Sequence, residues 1–311
     1  MYAPMASMTP TLIRGIDHVM IHTQNLERVF ALFRDVFDLP VVWPVTDYGV
    51  LVSGGVRSGN MNIEIGQFAG FGLSETTLYG LAFAPSEPTW QMVNGLVARG
   101  ILHTPPVTMH YEGPMQAKAT LTFLRDLLDG PPKMPLWLGR RWGGDNRIGR
   151  ALSAFSTWMA DTAIGSKAFA KLLGDSMVFM CEYKIDLYEE RLAELTANWQ
   201  RLRGGGPFGI TGIAGVDLEI STTAACWGKL LDRPDLDASS IRSFSIGPPL
   251  RFHSAQRNRL IGFDFCVADL ELTTLKLEEK GWLSAKSKER ATVAPDRVEG
   301  LTIAFCEARS S

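Results

Sequence analysis

Two histidines, His18 and His22, lie in the segment GIDHVMIHT (15–23), which otherwise reads as a buried β-strand. Alternate strand residues face opposite sides, so both imidazoles share a face with Met20, opposite Val19 and Ile21. An imidazole placed there can ligate a metal, move a proton near neutral pH, or serve as a hydrogen-bonded structural group. A second chemically loaded stretch is PLWLGRRWGGDNRIGR (135–150), where Arg140, Arg141, Arg147 and Arg150 stand among Trp137 and Trp142. Guanidinium forks beside indole rings suit an anionic or aromatic ligand, through paired hydrogen bonds and cation–π contact. A solvated loop whose tryptophans pack on nearby helices would use the same residues differently. The expectation is that Arg140, Arg141 and Trp142 touch substrate from a lid, with His22 at the rim of the pocket.

The elements that must position these groups recur. GIDHVMIHT is followed by LERVFALFRDVFD (26–38), whose Leu26, Val29, Phe30, Phe33 and Phe37 form one helical stripe behind a capping Asn25. Strands PVVWPV, YGVLVSG and NMNIEIGQF come next, separated by turn residues, giving a βαβββ unit. TLYGLAFAPS (77–86) and SEPTWQMVNGLVARG (86–100) restart the pattern as strand and helix, with Pro88 at a tolerated first-turn position and Gly100 as the stop. A helical insertion at about 114–175, including ATLTFLRDLLDG (119–130) and RALSAFSTWMADTAIGSKAFAKLLG (150–174), then precedes the strand MVFMCEYKI.

DLYEERLAELTANWQRLRGGGPFG (186–209) reads as a polar helix ending in glycines and proline, and marks the boundary between an N-terminal domain (1–185), a linker (186–208) and a C-terminal domain (209–311). Internal repeats support that division. GIDHVMI matches GIAGVDL, LYGLAFAP matches LIGFDFCV, and FMCEYK matches AFCEAR. The fold class read from this is α+β: four βαβββ modules paired into two cup-shaped domains, the second module carrying the helical insertion.

Composition limits the partners. The chain has 311 residues, 46% of them hydrophobic, with net charge −2, so it carries enough apolar material for sizeable cores and no global field for nucleic acid. The N-terminal MYAPMASMTP has no signal-peptide pattern and no apolar run approaches a membrane span, so the expectation is a cytoplasmic protein without stable membrane insertion. Cys181, Cys226, Cys266 and Cys306 are widely spaced and form no CxxC pair, which suits reduced core thiols. A small-molecule substrate is expected as partner, no nucleic acid, and a homodimer is compatible with the pattern.

GIDHVMIHTQNLERVFALFRDVFDLPVV (15–42), with NIEIG as a fourth strand and FMCEYK as an eighth, resembles the vicinal oxygen chelate superfamily, which includes glyoxalase I, methylmalonyl-CoA epimerase, fosfomycin-resistance proteins and type I extradiol dioxygenases. The resemblance covers nearly the whole chain apart from the insertion and linker. It implies a divalent metal (Fe, Mn, Ni, Co, Zn or Mg) on the concave face of a cup, with ligands at His18, Glu64 and Glu182 and a fourth position falling on Gly80. The implied chemistry is proton transfer, isomerisation or lyase chemistry on a small, aromatic or anionic organic substrate, with Glu64 as the base.

Strand parity adds an independent expectation: Asn62, Glu64 and Gly66 oppose Ile63 and Ile65, and Met180, Glu182 and Lys184 oppose Phe179, Cys181 and Tyr183, so all three candidate ligands would share the polar face. One imidazole and two carboxylates form a hard mixed donor set. Two other readings stand beside this one. An Fe(II) extradiol-type dioxygenase would need a second imidazole from His103, His110 or His253 in place of Gly80, and a non-catalytic binding protein would hold its ligand without metal. In the C-terminal half Gly215 replaces His18, while Asp217, Glu219, Asp264 and Glu307 offer a carboxylate-only site for Mg²⁺ or Ca²⁺; the other readings are a structural or dimer-like partner domain, and a permuted pairing in which His18 works with Glu307.

Overall fold

The computed structural model describes residues 11–48, 51–68, 74–110, 118–129, 144–162, 176–183, 188–221, 225–237 and 239–307. Strand β1 (Ile13–His22) leads into helix α1 (Leu26–Ala31), which continues as a π-turn over Leu32–Val36. There the Phe37 N–H donates to Leu32 O at 3.1 Å, and the widened turn buries both Phe33 and Phe37. Strands β2 (Val41–Asp47), β3 (Leu51–Arg57) and β4 (Asn62–Phe68) complete the first module.

The second module consists of β5 (Thr77–Pro85), α2 (Thr89–Ala98), β6 (Val107–His110), β7 (Lys118–Leu124) and β8 (Met177–Tyr183), with helix α3 (Arg147–Asp161) between the last two strands. Residues 118–124, expected as the start of the helical insertion, are therefore a strand. Thr120 and Thr122 alternate with Leu121 and Phe123, and pairing with β8 on one side and β6 on the other outweighs the local helix pattern. The eight strands form one sheet in the order β2-β3-β4-β1-β5-β8-β7-β6. Antiparallel β1 and β5 form its seam, and each is flanked by a parallel partner, β4 and β8.

Helix α4 (Tyr188–Arg203) links the halves but lies docked on the first. Trp199 is buried and donates from Nε1 to Asp38 O at 2.7 Å, and Arg57 Nε donates to Thr196 Oγ1 at 2.9 Å. The chain then enters β9 (Ile210–Ile220), followed by α5 (Ala225–Leu230), β10 (Ile241–Arg242), β11 (Leu250–Ser254), β12 (Arg259–Val267), α6 (Leu270–Glu279), β13 (Leu283–Lys286), β14 (Ala291–Val293) and β15 (Ile303–Glu307). Their order, β10-β11-β9-β12-β15-β14-β13, repeats the seam of the first sheet with β9 and β12 antiparallel at its centre.

Among the described residues the third module has three strands rather than four. The chain before β11 crosses to the other half instead: Ser245 and Ile246 N–H both reach Arg14 O, at 3.1 and 3.2 Å. Gly15 permits this approach, because a side chain there would strike the Ile246 backbone.

The helix-bearing faces of the two sheets share a single hydrophobic core. Phe37 lies at its centre, with ring centroids 5.3 Å from Phe265, 5.8 Å from Phe208 and 6.2 Å from Phe305. The opposite face of the first sheet carries its own buried apolar cluster, including Met20, Tyr79, Leu121, Phe123, Met177 and Phe179. No helix among the described residues is long and apolar enough to cross a membrane.

Candidate metal centre

The site begins with an irregularity in β1. Ile16 pairs with Phe83 and His18 with the adjacent Ala82, so Asp17 is an extra residue without its own cross-strand partner. Such a bulge turns the side chain away from strict alternation. Asp17 Oδ2 thereby comes to 2.6 Å from His18 Nδ1, on the concave face of the sheet.

His18 is 2% exposed and meets the Phe179 ring edge-on at 5.4 Å. Its other nitrogen, Nε2, lies 3.2 Å from Glu64 Oε2. Nε2 is nonetheless buried without an aligned hydrogen bond, so the contact with Glu64 is electrostatic rather than a directed bond. Burial opposes charge on the ring, but the Asp17 hydrogen bond, the Glu64 contact and the two negative charges outweigh it and raise the pKa from 6.5 to about 9.

Glu64, on β4, is 9% exposed and is placed beside His18 by the parallel β1–β4 register, which pairs Met20 with Glu64 and His18 with Asn62. Tyr48, at the end of β2, completes this neighbourhood: burial raises its pKa and the charge of Glu64 adds to that rise. The structure thus brings His18 and Glu64 together.

Glu182 is not brought to them. It sits on the helix-facing side of β8, where its Oε2 accepts the Thr89 N–H at 3.1 Å and the Thr89 hydroxyl, closing the first turn of α2. The register of β8 on β5, Ala82 with Phe179, sends Phe179 and Cys181 to the concave face instead. The Cys181 thiol there is fully buried, which keeps its pKa well above the ordinary value. Gly80 pairs with Met20, and a Cβ on it would meet Met20 and Met177 at 3.3 Å.

The other imidazoles lie elsewhere. His22 is not on an exposed rim: it is fully buried between Phe68 and Tyr79, with centroids 6.2 and 5.9 Å away. His103 is buried with Nδ1 2.9 Å from Thr104 O, and His253 belongs to the second sheet, 2.7 Å from Asp217. Arg140, Arg141 and Trp142, like Trp137 and the side chain of His110, lie outside the described residues. Arg150 pairs with Asp145 at 2.6 Å and lies over the Trp90 ring at 5.7 Å.

The second cup gives an internal comparison. Its register places Gly215 at the position of His18, Asp217 at that of Met20, Arg251 at that of Glu64 and Asp264 at that of Ala82. Arg251 grips Asp217 at 2.9 and 2.6 Å and reaches Asp264 at 2.8 Å, while Arg290 also holds Asp264 at 2.8 Å. These side chains line a pocket of about 320 Å³ whose carboxylates are already neutralised by guanidinium. Glu219 pairs with Arg259, and Glu307 lines a separate pocket with Asp269, Glu271 and Lys286, so neither joins Asp217 and Asp264 in theirs or reaches His18.

Among the described residues no three His, Cys, Asp or Glu side chains converge as a metal-binding group. The donor set in the first cup is therefore a pair, a buried imidazole nitrogen without an aligned partner and a carboxylate 3.2 Å from it. Both are common ligands of first-row divalent metals, and the nitrogen-to-oxygen spacing suits two neighbours in one coordination shell. The pair fits such an ion as a partial set that substrate oxygens or water would complete. Asp17, Tyr48 and Cys181 are the members of this neighbourhood that the sequence did not flag; Asp17 adjoins His18, but alternation assigns it to the wrong face.

No protein-family model and no curated protein matches the sequence. Solved structures do match. A mutant 4-hydroxymandelate synthase from Streptomyces coelicolor superposes with TM-score 0.55 at 11% identity, covering 97% of this chain and 94% of its own. The 2,3-dioxygenase LapB from Pseudomonas sp. KL28 gives 0.53 at 9%, covering 96% and 94%, and a Mn(II)-bound glyoxalase from Novosphingobium aromaticivorans gives 0.51 at 10%, covering 96% and 83%. At these identities the likeness is one of fold. With its paired modules, antiparallel seam and two curled sheets, the chain has the fold of the vicinal oxygen chelate superfamily.

Proposed function

We propose that the first cup is the active site of a metal-dependent enzyme acting on a small apolar or aromatic organic molecule by proton transfer, isomerisation or lyase chemistry. The observation that carries this reading is the buried Nε2 of His18, without an aligned hydrogen bond and 3.2 Å from the Glu64 carboxylate. A divalent metal held there by His18 and Glu64 would supply Lewis-acid polarisation of a substrate oxygen. In this reading Glu64 would take a proton from the carbon beside that oxygen, and Phe179, Met20 and Leu121 line the same face with apolar surface that excludes water. Hydrophobic walls with few polar groups suit an aromatic or aliphatic substrate body.

Purified protein prepared without chelator, assayed for metal content and for thermal stabilisation by Mn²⁺, Fe²⁺, Co²⁺, Ni²⁺ and Zn²⁺, tests the reading. Stoichiometric metal that His18→Ala removes supports it. A wild type that holds none and gains no stability from any of the five ions overturns it.

A second reading has its own observation. Asp17, His18 and Glu64 already form a closed set of charges, as Arg251 does with Asp217 and Asp264, which suits a cup that binds its ligand without metal. The ring-cleaving alternative requires a second imidazole at the metal, and none of the described histidine side chains is placed beside His18. Stoichiometric iron with oxygen uptake on catechols would favour it over the proposal.

A further inference from the structure

We propose that Asp17 is a positioning residue: it holds His18 through Nδ1, fixes the Nδ1–H tautomer of the neutral ring, and so leaves the Nε2 lone pair facing the concave face beside Glu64. This rests on the metal reading above for its purpose, though the tautomer itself does not. Three observations support the assignment.

The first is geometric: the 2.6 Å contact between Asp17 Oδ2 and His18 Nδ1 lies at a buried ring, and the Asp17 side chain is only 12% exposed. A single strong hydrogen bond to one ring nitrogen decides which nitrogen keeps its lone pair. The second is how Asp17 gets there. Without the bulge, alternation would place its carboxylate on the helix side of the sheet, among Val19, Ile21 and Phe33. The bulge sets two consecutive side chains, Asp17 and His18, on one face.

The third is an internal control. The second sheet has the same bulge at the same register: Gly215 pairs with Asp264, Ile213 with Phe265, and Ala214 is the extra residue. There the imidazole is replaced by glycine and the carboxylate by alanine. The bulge belongs to the fold and persists in both halves, whereas Asp17 and His18 occur together in the first and are absent together from the second. A carboxylate kept merely to satisfy the strand would have no reason to follow the histidine.

Two measurements test this on the full chain. The ring nitrogens of His18 in metal-free protein, read by long-range ¹H–¹⁵N NMR at about pH 10, should show the Nδ1–H form in wild type. The Nε2–H form there would overturn the proposal without need of any variant. Co²⁺ titration, followed by d–d absorption, should then show Asp17→Ala weakened about 10- to 100-fold. Asp17→Asn, whose amide oxygen can accept the same N–H, should lose less than about 10-fold, intermediate between the two. An Asp17→Ala affinity within twofold of wild type overturns the positioning role. A wild type that binds no Co²⁺ overturns the metal reading instead, and the tautomer measurement still decides the role of Asp17.

Discussion

Arg251 in the second cup stands where Glu64 stands in the first, and its guanidinium closes on Asp217 at 2.6 Å directly over Gly215, the counterpart of His18. One strand register therefore carries a nitrogen and oxygen donor pair in one half and an internal cation in the other. The cation is matched to its neighbours, since Asp217 and Asp264 are 6% and 2% exposed and would be costly to leave unpaired.

Arg251→Ala should therefore destabilise the chain by roughly 2–4 kcal/mol, somewhat less than the about 3–5 kcal/mol for breaking a fully buried pair, because Arg251 is partly exposed and Arg290 still holds Asp264. Urea denaturation would measure the loss. Metal binding by the first cup should be unchanged, because no group of the His18 neighbourhood touches this network. A fall in metal affinity parallel to the fall in stability would show the two cups to be coupled.

Glu182→Ala tests the corrected placement of that residue. As a cap on α2 its removal should cost about 1 kcal/mol of stability, readable as a lower denaturation midpoint. As a metal ligand its removal would cost metal affinity. The bonds from Thr89 predict the first outcome, with Co²⁺ affinity within about twofold of wild type.

The local pattern around Glu182 does not encode its facing. Met177, Val178, Phe179, Met180 and Cys181 are all buried, so β8 is apolar on both faces and its alternation carries no directional signal. The facing of Glu182 follows from the pairing of Ala82 with Phe179, a long-range register that no local pattern encodes. By contrast the segments His18–His22 and Asn62–Gly66 carry polar residues on one face only, which makes the facing of His18 and Glu64 legible. Asp17 escaped because alternation fails at a bulge, and β7 because threonine-rich alternation competes weakly with a helical stripe until two neighbouring strands pair with it.

The pH response of metal-free protein has a definite sign. His18 is raised in the folded state to about 9, above its unfolded value near 6.5. Protons are then bound more tightly by the native state, so this contribution to stability is fully present below pH 6.5 and is lost as pH rises towards 9. His18→Gln should flatten that part of the curve, measured as denaturation midpoints between pH 6 and 9.5 in chelator. A wild-type midpoint that climbs over this interval, or a variant with the same slope as wild type, would contradict the Asp17–His18–Glu64 arrangement.

Phe37→Ala bears on whether the halves fold as separate units. The Phe37 ring is fully buried and touches Phe33 from its own module, Phe208 from the segment before β9, Trp282, and Phe265 and Phe305 from the second sheet. Truncating it should cost about 3–5 kcal/mol, the range for a buried aromatic, because no single module can close the void alone. If the shared core makes the sheets one cooperative unit, calorimetry should show a single transition moving to lower temperature. A variant that splits into two transitions, one at the wild-type temperature, would instead place the cooperative boundary at the linker, with α1 belonging energetically to one half alone.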